Sequence, residues 1–140
     1  MNYYNEITNV IEQIEINEGV RKLQSNKEKL KAYYNIGKLL IEAQGGEERA
    51  KYGDGLIKKW ALKLVEKYGK GYDMSNLRRM RQLYIVTKKC GPVAHELSWS
   101  HWNILLPIKN ENERNYYINQ CLLNNLSKRD LIKLRKSKAF

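Results

Sequence analysis

Arg78, Arg79 and Gln82 carry the most chemistry in this 140-residue chain. Arginine and glutamine can each pair bidentately with a base edge, and arginine also meets phosphate with a rigid fork of donors. Lys70, Tyr72, Ser75 and Asn76 stand just before them and complete a candidate contact set. Arg81 lies beside the apolar side of the same stretch, where its stem can cover core. Further on, Lys128, Arg129 and Lys133 fit a second phosphate contact and a frayed, solvated tail equally well.

The elements that must position these residues read as helix, turn and helix. Leu56, Ile57, Trp60, Ala61, Leu64, Val65 and Tyr68 recur at helical spacing after Asp54 and Gly55, giving a wide apolar stripe. Gly69 stands where a left-handed closing residue is wanted, and Asp73 or Ser75 can cap the next helix. In that second helix Leu77, Met80 and Tyr84 fall on one side. Ser75, Arg79 and Gln82 fall on the opposite side, with Arg78 beside them. This is a helix-turn-helix grammar, with a recognition helix over about 75–89.

Charge concentrates on the same stretch. Residues 58–89 hold ten Lys/Arg against two acids, a net +8 of the chain's +11. A localised positive field suits a polyanion, because each neutralised phosphate releases condensed counterions. The lysines at 58–67 fit an ordinary solvated helix face just as well.

Other chemistries find little support. Cys90, His95 and His101 lack the paired ligand spacing of a structural zinc site, so the histidines read as structural and no metal is expected. Cys121 reads as a small core residue. Glu47 and Glu48 are neighbours that cannot face each other on a helix, and they suit an acidic first turn. Neither the Gly45–Gly46 pair nor the Gly53/Gly55 pair forms a phosphate-cradling loop, so no cofactor is expected. There is no signal-peptide pattern and no apolar run of membrane-spanning length. Two cysteines are too few for a disulfide scaffold, which points to the cytoplasm.

The remaining chain is helical in pattern. Ile7, Val10, Ile11 and Ile14 make one amphipathic helix, which Asn17–Gly19 either break or leave running. Val20 to Ala43 sketches a longer one through Leu23, Leu30, Tyr33, Tyr34, Gly37, Leu40 and Ile41, closed by Gly45 and Gly46. After a loop at 90–96, a short helix starts at Ser98 or Ser100 and carries Trp99, Trp102, Leu105 and Leu106. Another spans 110–125, and Ser127 with Asp130 has capping-box form before the last. The fold class is mainly α: a compact helical domain built on a helix-turn-helix, with about six helices and room for a small winged element. Residues 1–46 form an N-terminal helical pair for packing or dimerisation, and 47–140 form the helix-turn-helix core with the C-terminal helices.

The runs YYNIGKLLIEAQGGEERAKYGDGL, YGKGYDMSNLRRMRQLY, LSWSHW and ERNYYINQCLLNNLSKRDL follow one another over about residues 30–135. In this order they resemble the N-terminal domain of the YhcG family. The family pattern falls on Gly45, Gly46, Tyr52, Gly53, Gly69, Lys70, Gly71, Asn76, Met80, Arg81 and Ser98–His101. The resemblance implies a bacterial protein of nucleic-acid metabolism or mobile elements. It implies a winged-helix-like DNA-binding domain, which in longer members precedes a PD-(D/E)xK nuclease.

That nuclease needs an Asp/Glu-x-Lys triplet to hold a divalent metal, and none of the fifteen acidic positions has Lys two residues on. Enzymatic activity is therefore not expected. The favoured reading is a non-catalytic module for duplex DNA, acting as a regulator or targeting a nuclease supplied elsewhere. A homodimer and a nuclease or defence-complex protein are further candidate partners. The alternative is a phage or mobile-element protein that inhibits a nucleic-acid-handling defence enzyme through its basic surface. A separated targeting fragment of a larger nuclease is the third.

Overall fold

The computed structural model describes residues 2–21, 26–50 and 54–140. These residues are helical: α1 (Tyr3–Arg21), α2 (Asn26–Ala43), α3 (Glu47–Ala50), α4 (Gly55–Tyr68), α5 (Met74–Cys90), α6 (Trp99–Leu105), α7 (Glu111–Asn124) and α8 (Lys128–Lys136). Short 3-10 turns occur at Lys70–Tyr72 and Pro92–Glu96, the second within the stretch read as a loop. Among the described residues there are seven helices and the single turn α3, not about six, and no strand that could serve as a wing. Leu23, Tyr52 and Gly53 lie outside the described residues.

Local chemistry accounts for most boundaries. α1 runs through Asn17–Gly19 to Arg21. One interior glycine costs about 1 kcal/mol, which does not stop a helix whose preceding turns bury Ile7, Ile11 and Ile14. The helix α5 is capped by Asp73, whose carboxylate accepts from the Asn76 amide at 2.8 Å; Ser75 is not the cap. Ser98 and Ser127 each close a capping box, with His101 and Asp130 as the reciprocal partners. Gly69 sits at φ 101°, where a side chain would be strained.

The core forms two clusters. In the first, Ile7 and Ile11 of α1 meet Ile36 and Leu40 of α2, Ile57 and Leu64 of α4, and Leu77 and Met80 of α5. In the second, Leu30 of α2 and Leu83 of α5 join Trp102, Leu105, Tyr117, Cys121 and Leu131 from α6, α7 and α8. The helices α2 and α5 enter both clusters and so form the spine of the fold. At their crossing Gly37 packs directly on the Met80 backbone. Since α5 turns its apolar face to α2 and α4, its polar face is left at the surface.

Candidate nucleic-acid interface

Asp54, the residue before α4, makes no side-chain cap. Its carboxylate reaches α5 instead: Arg78 Nε donates to one oxygen at 2.8 Å, and Arg81 Nη1 donates to the other at 3.0 Å. The same Arg81 nitrogen donates to Gln44 Oε1 at 2.9 Å, so the end of α2 joins the cluster. Arg81 is 16% exposed, Asp54 29% and Arg78 47%, a gradient from anchor to surface. Burial pushes the Asp54 carboxyl up, but the hydrogen bonds and charges of Arg81 and then Arg78 outweigh it and hold it below its ordinary value.

Beyond this cluster, a groove of about 480 Å³ lies between α3 and α5. Glu47 and Ala50 line one side; Arg78, Gln82, Ile85 and Lys89 line the other. Lys88 closes part of it with a 2.7 Å ion pair to Glu47, and that hydrogen bond raises the lysine above its usual range. Lys89 and Arg79 are exposed and pair with no carboxylate among the described residues. Arg79 leans on Asn76 Oδ1 at 3.3 Å, and Asn76 in turn donates to the Lys70 carbonyl at 3.3 Å. Ser75 and Lys70 are exposed at the same end of α5.

Gln82 and Tyr72, both in the expected contact set, are turned inward. Gln82 donates from Nε2 to the Leu106 carbonyl at 3.0 Å, so it is not an open base-reading group. A helix end leaves its last carbonyls without intrahelical partners, and Gln82 satisfies one at the end of α6. Tyr72 is 6% exposed and packs in the first core, edge-on to Tyr68 at 6.1 Å between ring centroids. The 3-10 turn at Lys70–Tyr72 folds that ring inward.

The α4 lysines divide by use. Lys67 and Tyr68 both donate to Glu12 of α1, at 3.3 and 2.7 Å. The Tyr68 bond and then Lys67 hold the Glu12 carboxyl below its ordinary value. Lys63 lies over the Tyr4 ring at 5.3 Å, while Lys58 and Lys59 are exposed. On α8, Lys128, Arg129 and Lys133 are exposed. Lys133 borders a shallow depression with Gln120 and Asn124 of α7, not the α3–α5 groove.

His101 is structural: one ring nitrogen meets Ser98 Oγ at 2.6 Å and the other the Leu126 carbonyl at 2.8 Å. Cys121 is buried, and loss of solvent pushes its thiol up to about 11. Among the described residues no group of three or more His, Cys, Asp or Glu could hold a metal ion. No described helix is long and apolar enough to cross a membrane.

Asp54, Gln44 and Lys89 were absent from the sequence-derived contact set. Asp54 lies 24 and 27 residues before its two arginines, and no local spacing announces such a pairing.

Fold and surface together define a helical module that presents an arginine-bearing helix beside a basic groove. The chain belongs to the DUF1016 N-terminal domain family, which it matches over residues 6–140. It is also 44% identical over 54 residues to the Escherichia coli (strain K12) protein named "Putative nuclease YhcG". That match spans 38% of this chain and 14% of the relative. No solved structure matches the chain.

Proposed function

We propose that this domain is a DNA-binding module that targets a nuclease, with the exposed side of α5 laid against duplex DNA. The observation that carries this reading is the polar face of α5, where Arg78, Arg79, Lys88 and Lys89 reach the surface of the segment holding +8 of the chain's +11 charge. The α4–turn–α5 unit then works as a helix-turn-helix, in which α4 and α2 hold α5 from behind. Similarity to a protein named as a nuclease supports the targeting role. The cleavage chemistry comes from elements outside these residues, and the working compartment is the cytoplasm.

Binding is backbone-directed and tolerant of sequence. With Gln82 holding Leu106, and Asn76 placed between Lys70 and Arg79, the groups left open are mostly cations, which position a protein on phosphates without reading bases. Lys70 and Ser75 flank the footprint at the start of α5. Lys128, Arg129 and Lys133 make at most a secondary contact.

Fluorescence anisotropy with duplex DNA, single-stranded DNA and RNA across a salt series tests the reading. Duplex should bind most tightly, with affinity falling steeply as salt rises and little difference between unrelated sequences. Tight capture of a protein partner with no duplex binding at low salt would overturn it.

A further inference from the structure

We infer that Asp54 is a positioning residue for the ligand side of α5: its carboxylate holds the Nε edge of Arg78 inward, so that the two terminal nitrogens are presented to a DNA phosphate. This role depends on the proposed DNA binding, because the partner those exposed nitrogens take in place of water is the bound phosphate. Arg78 donates from Nε to Asp54 at 2.8 Å, and its terminal nitrogens meet no acceptor among the described residues. Its side chain is 47% exposed and lines the α3–α5 groove.

The carboxylate is itself fixed from behind. Arg81, only 16% exposed, donates to Asp54 and to Gln44 from one nitrogen, which joins the end of α2, the start of α4 and the middle of α5. The three ionised groups sum to one positive charge, so an approaching phosphate meets a cationic cluster despite the acid within it. An unrestrained surface arginine would lose its rotamer freedom on binding. Here Asp54 removes much of that freedom beforehand and leaves the planar fork free for bidentate contact with phosphate.

Counting charges and positioning the guanidinium predict opposite signs for Asp54→Asn. Removing a negative charge beside a phosphate site should tighten binding if charge alone matters. If Asp54 positions Arg78, the same variant binds duplex about three- to tenfold more weakly, the cost of ordering one long side chain on binding. Arg78→Lys keeps the charge but lacks the Nε edge and the fork, and should weaken binding by a similar factor. The double variant should be no weaker than the weaker single, since both changes remove one arrangement.

The experiment is duplex anisotropy at fixed low salt on wild type, both singles and the double, with circular dichroism to confirm helix content. Asp54→Asn binding as well as or better than wild type overturns the role while leaving DNA binding standing. If Asp54→Asn does not fold, Arg78→Lys decides alone, because it leaves the Asp54–Arg81 bond in place, and wild-type affinity in that variant overturns the role. Wild type failing to bind duplex overturns both the role and the proposed function.

Discussion

Gly37 in α2 lies against the backbone of Met80 in α5, so that a Cβ on Gly37 would stand 2.6 Å from the Met80 carbonyl carbon and closer still to its oxygen. Hydrogen at this one position lets the two spine helices approach backbone to backbone, and both core clusters depend on that approach. Replacing a helical glycine with alanine gains about 1 kcal/mol of propensity. Overpacking against a backbone that cannot rotate away costs about 3 kcal/mol. Gly37→Ala should therefore lose about 2 kcal/mol in urea unfolding. A midpoint at or above wild type would show that the spine is looser than this packing implies.

Acid should expose the Asp54 cluster. The folded-state pKa of Asp54 lies below its ordinary 3.8, so its contribution to stability is fully present above that value and drains away as pH falls through the lower, folded value. Urea midpoints measured from pH 7 down to pH 2.5 should fall less steeply below about pH 4 for Asp54→Asn than for wild type. Parallel curves would mean that the two arginines do not stabilise the ionised carboxylate.

The two thiols should separate by reactivity. Cys121 is 2% exposed with its thiol pushed up to about 11, whereas Cys90 is partly exposed at the end of α5. Ellman's reagent at pH 8 should label one thiol per native chain and the second only in denaturant, with Cys90→Ser abolishing the native signal. Rapid native labelling of both would contradict the closed second core.

Sequence periodicity reveals the scaffold better than the surface. The α4 stripe of Ile57, Ala61 and Leu64 is buried as its spacing requires, and the caps at Asp73, Ser98 and Ser127 form because cap and partner lie within three residues. Long-range pairings leave no such trace. Gln82 looks outward on a helical wheel, yet its partner is a carbonyl 24 residues later. Tyr72 sits in a polar run that says nothing of the 3-10 turn that buries it. Gly37 falls in an apolar stripe, and only the α2–α5 crossing shows why glycine stands there. The family resemblance was legible because its motifs span most of the chain in order.

The α8 cations should matter less than those of α5, since Lys133 borders α7 and not the α3–α5 groove. A Lys128→Ala/Arg129→Ala/Lys133→Ala variant should lower duplex affinity by less than about threefold at physiological salt, although it removes three charges. A loss larger than that of the α5 arginines would move the binding surface to the C-terminal helix.

The salt dependence of duplex binding in wild type and Arg78→Ala/Arg79→Ala tests the central claim most directly. Each lost phosphate contact lowers the slope of log affinity against log salt by about 0.9, so the pair should flatten it by roughly 1.8 and lose most affinity at low salt, with helix content unchanged. An unchanged slope and affinity in a folded double variant would contradict the assignment of α5 as the DNA-facing element.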